Sequence, residues 1–418
     1  MSRIVIVAIG TRGDVAPLTG LGLRLRDAGH EVAIAAHEPY AAMISGCGLR
    51  FIELGLNFGF EGTEAEIQDR ITKEFNTRLG FRVIGEGLIA ALRNEPVDLL
   101  LLSPYAEFAG HPFAQARGIP TAGVRLQHMS ATGDFPPSFT GAWSRGRLGN
   151  RLFADAGAWV VDRYYRPVIA GFRRELGLPR VSARTLRRRR TAAEWPILHG
   201  FSPTLVPRPA DWRPGLEVMG FWWPARPADF EPPAALVEFL AAGPPPVLVS
   251  FGSNMNSPER TAELGAMVRI ALRAAGVRGL VQAGWSGLGV TDEDVLNIGE
   301  IPYDWLFPQL AAAVHHCGAG TCAAALRAGI PTVAVPKIPE QRFWAHRTAL
   351  LGVTADLIPE SELTAPRLTD AITRAVTDTA LRANAVQVAA RITAEDGAGE
   401  TLRVIEELLA RAEPATAH

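Results

Sequence analysis

Between Arg3 and Gln127 the chain alternates short apolar runs with stretches of helical periodicity, and after a proline-rich interruption the alternation starts again. "IVIVAIG" leads into "PLTGLGLRLRDAG", where Leu18, Leu21, Leu25 and Ala28 share one helical face and Gly29 supplies a stop. "EVAIAA", "AAMISGCG", "RFIELG", "DLLLLS", "AEFAGHPFAQARG" and "TAGVRLQ" continue the strand and helix series. The second series runs through "PPVLVSFGS", "ELGAMVRIALRAAG", "RGLVQAGW", "AAVHHCGAGT", "CAAALRAG" and "PTVAVP", and helical patterns close the chain. Uninterrupted apolar strands alternating with helices predict parallel sheets covered on both faces. The fold class read here is α/β, two Rossmann-like domains facing each other across a cleft, with a C-terminal helix crossing back to the first.

Eight prolines in the 31 residues 203–233 rule out a helix there and mark a linker. The expected division is 1–208, a linker over 209–232, 233–395, and a terminal helix over 396–418. The strand "LEVMGFWW" inside the proline-rich stretch is assigned to the second domain. Two insertions, at about 55–95 and at "MSATGDFPPSFTGAWSRGRLGN", interrupt the first series. In doubly wound folds such loops at strand ends carry ligand contacts.

The 418 residues carry 42 basic and 43 acidic side chains, so net charge favours neither nucleic acid nor an acidic membrane. Three cysteines, Cys47, Cys317 and Cys322, are too few and too oddly spaced for a disulfide framework or a zinc site, which points to a reducing cytoplasm. Cys317 and Cys322 read as packing residues. No apolar run approaches the roughly 20 residues that span a bilayer. The acidic triplet Asp292-Glu293-Asp294 is too weak a pattern to predict a metal. The basic run "LRRRRT" at 186–191 reads as a solvated face, or as a contact for a lipid surface or an acidic partner.

Four turns carry chemistry. In "HHCGAGT" a buried strand ends at His315 and His316, glycines follow at 318 and 320, and an alanine-rich helix begins. Amides at a helix start and the positive end of its dipole suit a diphosphate, with Thr321 and His316 as further donors. A tight turn around a structural histidine is the other reading. In "GTRGDVAP", Asp14 is either the cap of a helix or a general base at the cleft mouth, with Arg12 beside it for phosphate. Ser253 in "SFGSN" is a phosphate donor or part of a plain β-turn. Glu340 and Gln341 bracket vicinal sugar hydroxyls or simply begin a helix.

These blocks, in this order over nearly the whole chain, resemble the GT-B glycosyltransferases of family 1, in particular the bacterial natural-product and sterol-type members. The second-half block "IPYDWLFPQLAAAVHHCGAGTCAAALRAGIPTVAVP" is the specific part of the match. The resemblance implies transfer of a hexose or deoxyhexose from a UDP- or dTDP-sugar to a hydrophobic small-molecule acceptor, with inversion and without a metal or other cofactor. It implies that Asp14 is the base and that Thr11 and Arg12 form the loop near phosphate. Ser253 then contacts phosphate, Ile301 sits where backbone groups hold the nucleobase, and His316, Gly318, Ala319, Gly320 and Thr321 cradle the diphosphate. Gln341 holds sugar hydroxyls beside Glu340, where the family often has aspartate. Trp285 is counted with the donor-binding residues, and His128 and Phe135 with the acceptor cleft, which His128 either lines or simply packs beside. Ala324 stands where plant relatives carry a ribose-binding glutamate, so thymidine and uridine donors are both admissible. The expected molecule is a cytoplasmic monomer or homodimer that binds no nucleic acid. An epimerase on the same fold, or a non-catalytic auxiliary protein, are the competing readings.

Overall fold

The computed structural model describes residues 1–55, 77–252, 256–284 and 287–412. Strands β1 (Arg3–Val7), β2 (Glu31–Ala36), β3 (Arg50–Glu53), β4 (Leu99–Leu102), β5 (Thr121–Arg125), β6 (Ile197–His199) and β7 (Leu216–Val218) form one sheet in the order β3-β2-β1-β4-β5-β6-β7. Strands β8 (Val247–Ser250), β9 (Gly279–Gln282), β10 (Val295–Ile298), β11 (Ala312–His315), β12 (Thr332–Ala334) and β13 (Thr354–Leu357) form a second, ordered β10-β9-β8-β11-β12-β13. Each pairing is parallel. The central strands β4, β8 and β11 are buried at every residue, as apolar strands covered by helices on both faces must be.

The strand at Leu216–Val218 belongs to the first sheet, where Ile197 pairs with Leu216, and not to the second. The linker expected over 209–232 is therefore partly sheet. Its remainder is packed: Phe221 and Trp222 are buried, the Ala225 amide donates to Thr19 Oγ1 (2.9 Å), and Trp222 Nε1 donates to Thr401 Oγ1 (2.9 Å). Proline removes donors and stiffens the chain, but the apolar residues between the prolines still seek cover. Phe221 finds it in the cluster of Leu326, Phe343 and Trp344, and Trp222 in the core that includes the helix Arg12–Asp27 and the terminal helix Gly397–Ala412, which lie against each other. Ile405 is fully buried there, with Leu402, Leu408 and Leu409 at its side. The terminal helix thus crosses back to the first sheet.

Candidate functional site

In each sheet the strand order turns back between two central neighbours, β1 and β4 in the first, β8 and β11 in the second. Crossovers leave those neighbours in opposite directions, so a crevice opens past their carboxyl ends. The segments emerging there are Ala8–Asp14 after β1, Phe251–Gly252 after β8 and His316–Thr321 after β11. The turns singled out in the sequence therefore converge for a topological reason.

On the first side Thr11 precedes the helix Arg12–Asp27 and Asp14 lies in its first turn. Asp14 Oδ2 accepts the Thr11 amide (2.8 Å) and hydroxyl (3.0 Å), and Oδ1 accepts Gln127 Nε2 (2.9 Å). A Cβ on Gly10, whose φ is +146°, would meet Asp14 Oδ2 at 2.4 Å, so the carboxylate folds back over a position only glycine tolerates. Burial pushes the Asp14 carboxyl above its ordinary value, against the pull of the Gln127 and Thr11 donors. Across the cleft, Glu340 begins the helix Pro339–Leu350. Burial and then the nearby Asp14 charge raise its carboxyl to about 7, while Trp344 Nε1 donates to it at 3.4 Å. Tyr105 lies within the field of both carboxylates, and its phenol is raised by burial and then by each of them. Two acids from opposite halves thus share one part-buried space, each with its proton affinity raised chiefly by burial.

On the second side the His316 ring is slotted between glycines. A Cβ on Gly252 (φ +60°) would meet His316 Cε1 at 2.3 Å, and one on Gly318 would meet His316 Nε2 at 2.5 Å. Burial lowers the His316 imidazole to about 4, so it is neutral near pH 7 and can act as a neutral donor. His315, one residue earlier, is fully buried, and its Nδ1 accepts the Cys317 amide (3.0 Å). His315 thus ties the turn from the buried side, and His316 lies among its glycines. The helix Ala319–Ala328 starts after Gly318 with no capping side chain, which leaves its first N–H groups directed at the crevice. A Cβ on Gly320 would meet no atom within 4 Å, so the space over the helix start is clear. Beneath the turn, Ser250 Oγ and the Tyr303 hydroxyl both donate to Gln282 Oε1 (2.8 and 2.9 Å), a network that also involves Thr321. Backbone donors at a clear helix start, backed by a neutral imidazole and a hydroxyl, are the groups that binding of an anion requires.

Two family models match the chain: Erythromycin biosynthesis protein CIII-like, C-terminal domain, over residues 281–408, and Glycosyltransferase family 28 N-terminal domain, over residues 4–92. The O-mycaminosyltylonolide 6-deoxyallosyltransferase of Streptomyces fradiae is 31% identical over 428 residues, which cover 97% of this chain and 97% of the relative. The chain belongs to the GT-B glycosyltransferases of family 1. The sterol 3-beta-glucosyltransferase UGT80A2 of Arabidopsis thaliana is 32% identical over 94% of this glycosyltransferase, which spans 64% of that relative's length. In fold, the glycosyltransferase is similar to the spinosyn forosaminyltransferase SpnP (TM-score 0.70, 17% identity, 98% and 99% of the two chains covered). It is also similar to the Streptomyces sp. SF2575 glycosyltransferase SsfS6 complexed with thymidine diphosphate (TM-score 0.62, 21% identity, 97% and 100% covered).

The remaining expected residues are distributed unevenly. Ser253 and Trp285 lie outside the described residues. Arg12, expected on phosphate, forms an ion pair with Glu300 of the other half (2.7 Å), next to the buried Ile301. Gln341 Oε1 accepts the amides of Lys337 (2.8 Å) and Ile338 (3.2 Å), so its carbonyl end ties the turn before its own helix. His128 and Phe135, expected on an acceptor wall, are instead buried between the halves. His128 stacks on Phe343 (ring centroids 3.4 Å apart) and meets Phe135 and Trp344 edge-on. An aromatic ring near a cleft contributes more by burial against other rings than by waiting in water. Sequence reasoning missed Gln127, Gln282, Tyr303 and Tyr105. Gln127 and Tyr105 do lie in the segments that leave β5 and β4 at their carboxyl ends, a signal that could have marked them.

Proposed function

We propose that the glycosyltransferase moves a hexose or deoxyhexose from a UDP- or dTDP-sugar to a hydroxyl or ring nitrogen of a hydrophobic small molecule, with inversion at the anomeric carbon. The observation that carries this reading is Asp14, held by Gln127 and Thr11 at the cleft mouth opposite the uncapped start of the helix Ala319–Ala328. The acceptor oxygen or nitrogen attacks the anomeric carbon as its bond to the diphosphate oxygen breaks, and Asp14 takes the acceptor proton. The three donor bonds fix the direction of the carboxylate, and its raised proton affinity makes it a stronger base than a solvated aspartate. The leaving diphosphate gains charge, which the amides at 319–321, Thr321 and the neutral His316 meet without a metal. Glu340 faces the sugar, and Gln341 holds the turn that presents it. The similarity to enzymes whose names specify macrolide and sterol acceptors supports a polycyclic or macrocyclic acceptor, and the thymidine diphosphate complex of SsfS6 supports a thymidine donor.

The test is Asp14→Asn with an alcohol acceptor. Turnover is expected to fall by about 10²–10⁴-fold while titration calorimetry with UDP and dTDP shows unchanged donor affinity. Near-native turnover sinks the base assignment. Donor turnover without any acceptor, giving an isomeric nucleotide sugar, favours an epimerase.

A further inference from the structure

Residues 143–192 hold thirteen arginines against three carboxylates, in a chain whose 42 basic and 43 acidic residues almost balance. They form the helix Gly146–Glu175 and the shorter helix Ala183–Ala192, which lie against each other. The long helix is apolar where a water-facing helix should be polar. Leu148 (82% exposed), Leu152 (68%) and Trp159 (62%) recur at helical spacing on one outward face, with Val160 alongside. Arg163 and Arg166, both exposed, continue that stripe over the next two turns. At its other end Phe139 and Trp143 are more than half exposed, and Phe139 rests on Gly157 of the helix. The Arg145 guanidinium lies over the Trp143 and Phe153 rings, at 4.0 and 3.9 Å. Arg147, Arg151 and Arg187 pair with Asp134, Asp211 and Asp162. Among the described residues, no carboxylate lies within ion-pair distance of Arg163, Arg166, Arg184, Arg188 or Arg189.

We propose that this face docks the protein onto an anionic lipid surface. Exposed tryptophan and leucine on a helix flanked by unpaired arginines suit the boundary between headgroups and acyl chains, with guanidinium groups at the depth of the phosphates. No described helix is long and apolar enough to cross a membrane, so the attachment is to the surface. A second copy fits this face poorly, because a twofold contact through it would set two arginine clusters against each other. The face also borders the cleft. Gly141, between Phe139 and Trp143, lies against Pro339 at the start of the helix that carries Glu340, where an added Cβ would meet the Pro339 carbonyl at 3.1 Å. A hydrophobic acceptor can therefore enter from the bilayer at the cleft rim. That last step rests on the function proposed above; the docking does not.

The test is flotation of the full-length protein with vesicles of phosphatidylcholine alone and with about one third phosphatidylglycerol. Flotation is expected with the anionic vesicles alone, and to weaken as salt rises. The variants Leu152→Ser/Trp159→Ser and Arg184→Glu/Arg188→Glu/Arg189→Glu are each expected to lower partitioning by about tenfold or more. Circular dichroism, Tm and turnover of a water-soluble acceptor should stay unchanged in both. Absence of flotation with anionic vesicles overturns the proposal, as does equal flotation of wild type and both variants. A sedimentation-detected dimer that Leu152→Ser/Trp159→Ser dissolves, without vesicle binding, also overturns it and assigns the face to a second copy. Flotation with no transfer to any acceptor supports the docking and fails the functional reading alone.

Discussion

Asp14 shows how one carboxylate serves two ends. It ties the Thr11 amide at the start of its helix and stands at the cleft mouth with its second oxygen held by Gln127. Because the Gln127 donor favours the charged form, its removal should raise the proton affinity of Asp14. Gln127→Leu is therefore expected to move the acid limb of the kcat/KM pH profile to higher pH and to lower kcat by about tenfold. A role for Gln127 confined to stability would leave that limb in place. Glu340 makes a second pH-dependent contribution. Its ordinary value is 4.5 and the folded protein raises it to about 7, so between those values the folded state binds more protons than the unfolded one. Its contribution to stability therefore declines as pH climbs through that window, and the deficit is complete above it. Glu340→Gln should gain about 1 kcal/mol over wild type near pH 8 and little near pH 4.5, a figure scaled down for partial solvent contact. Urea denaturation at both pH values checks it, and a uniform offset at both would contradict the assignment.

At the scale of elements, the glycine turns divide into positions the protein needs and positions it leaves clear. Gly252 and Gly318 make room for the His316 ring, and Gly10 for the Asp14 carboxylate, whereas Gly320 makes room for nothing within the protein. Gly252→Ala adds a clash at 2.3 Å to a residue with φ +60°. It is expected to weaken UDP or dTDP binding by about tenfold and to cost about 1–2 kcal/mol of stability. Calorimetry and thermal melting read the two effects separately, and wild-type donor affinity would show that the ring position is irrelevant to the cradle. Most strands and helices were legible because parallel strands buried on both faces read as unbroken apolar runs. Leu216–Val218 was misassigned because an edge strand of three residues lacks such a run, and the surrounding prolines concealed it.

At the scale of the molecule, the two halves meet through an aromatic cluster and through hydrogen bonds to charged groups, with Arg347 donating to the Leu205 carbonyl and Glu395 accepting from Ser202 and Thr204. His128, Phe135, Phe343 and Trp344 pack together out of water, whereas the Arg12–Glu300 pair has about half of each side chain exposed and contributes no more than about 1 kcal/mol. The terminal helix adds a second tie through Ile405 and the Thr401–Trp222 hydrogen bond. Ile405→Ala should therefore destabilise the protein by about 2–4 kcal/mol, measured by denaturant unfolding. A loss below about 0.5 kcal/mol would mean that the helix is only loosely attached.

The sequence by itself determined the two parallel sheets and the places of the glycine turns at the ends of their strands. Those features rest on local patterns: apolar runs, helical periodicity, and glycines beside polar residues. Tertiary structure alone decided what each polar group does, because hydrogen-bond partners such as Asp14 and Gln127, 113 residues apart, are brought together by strand order. The same holds for His128, Phe135 and Arg12, whose side chains suited a ligand but which found partners across the domain boundary once the halves had packed.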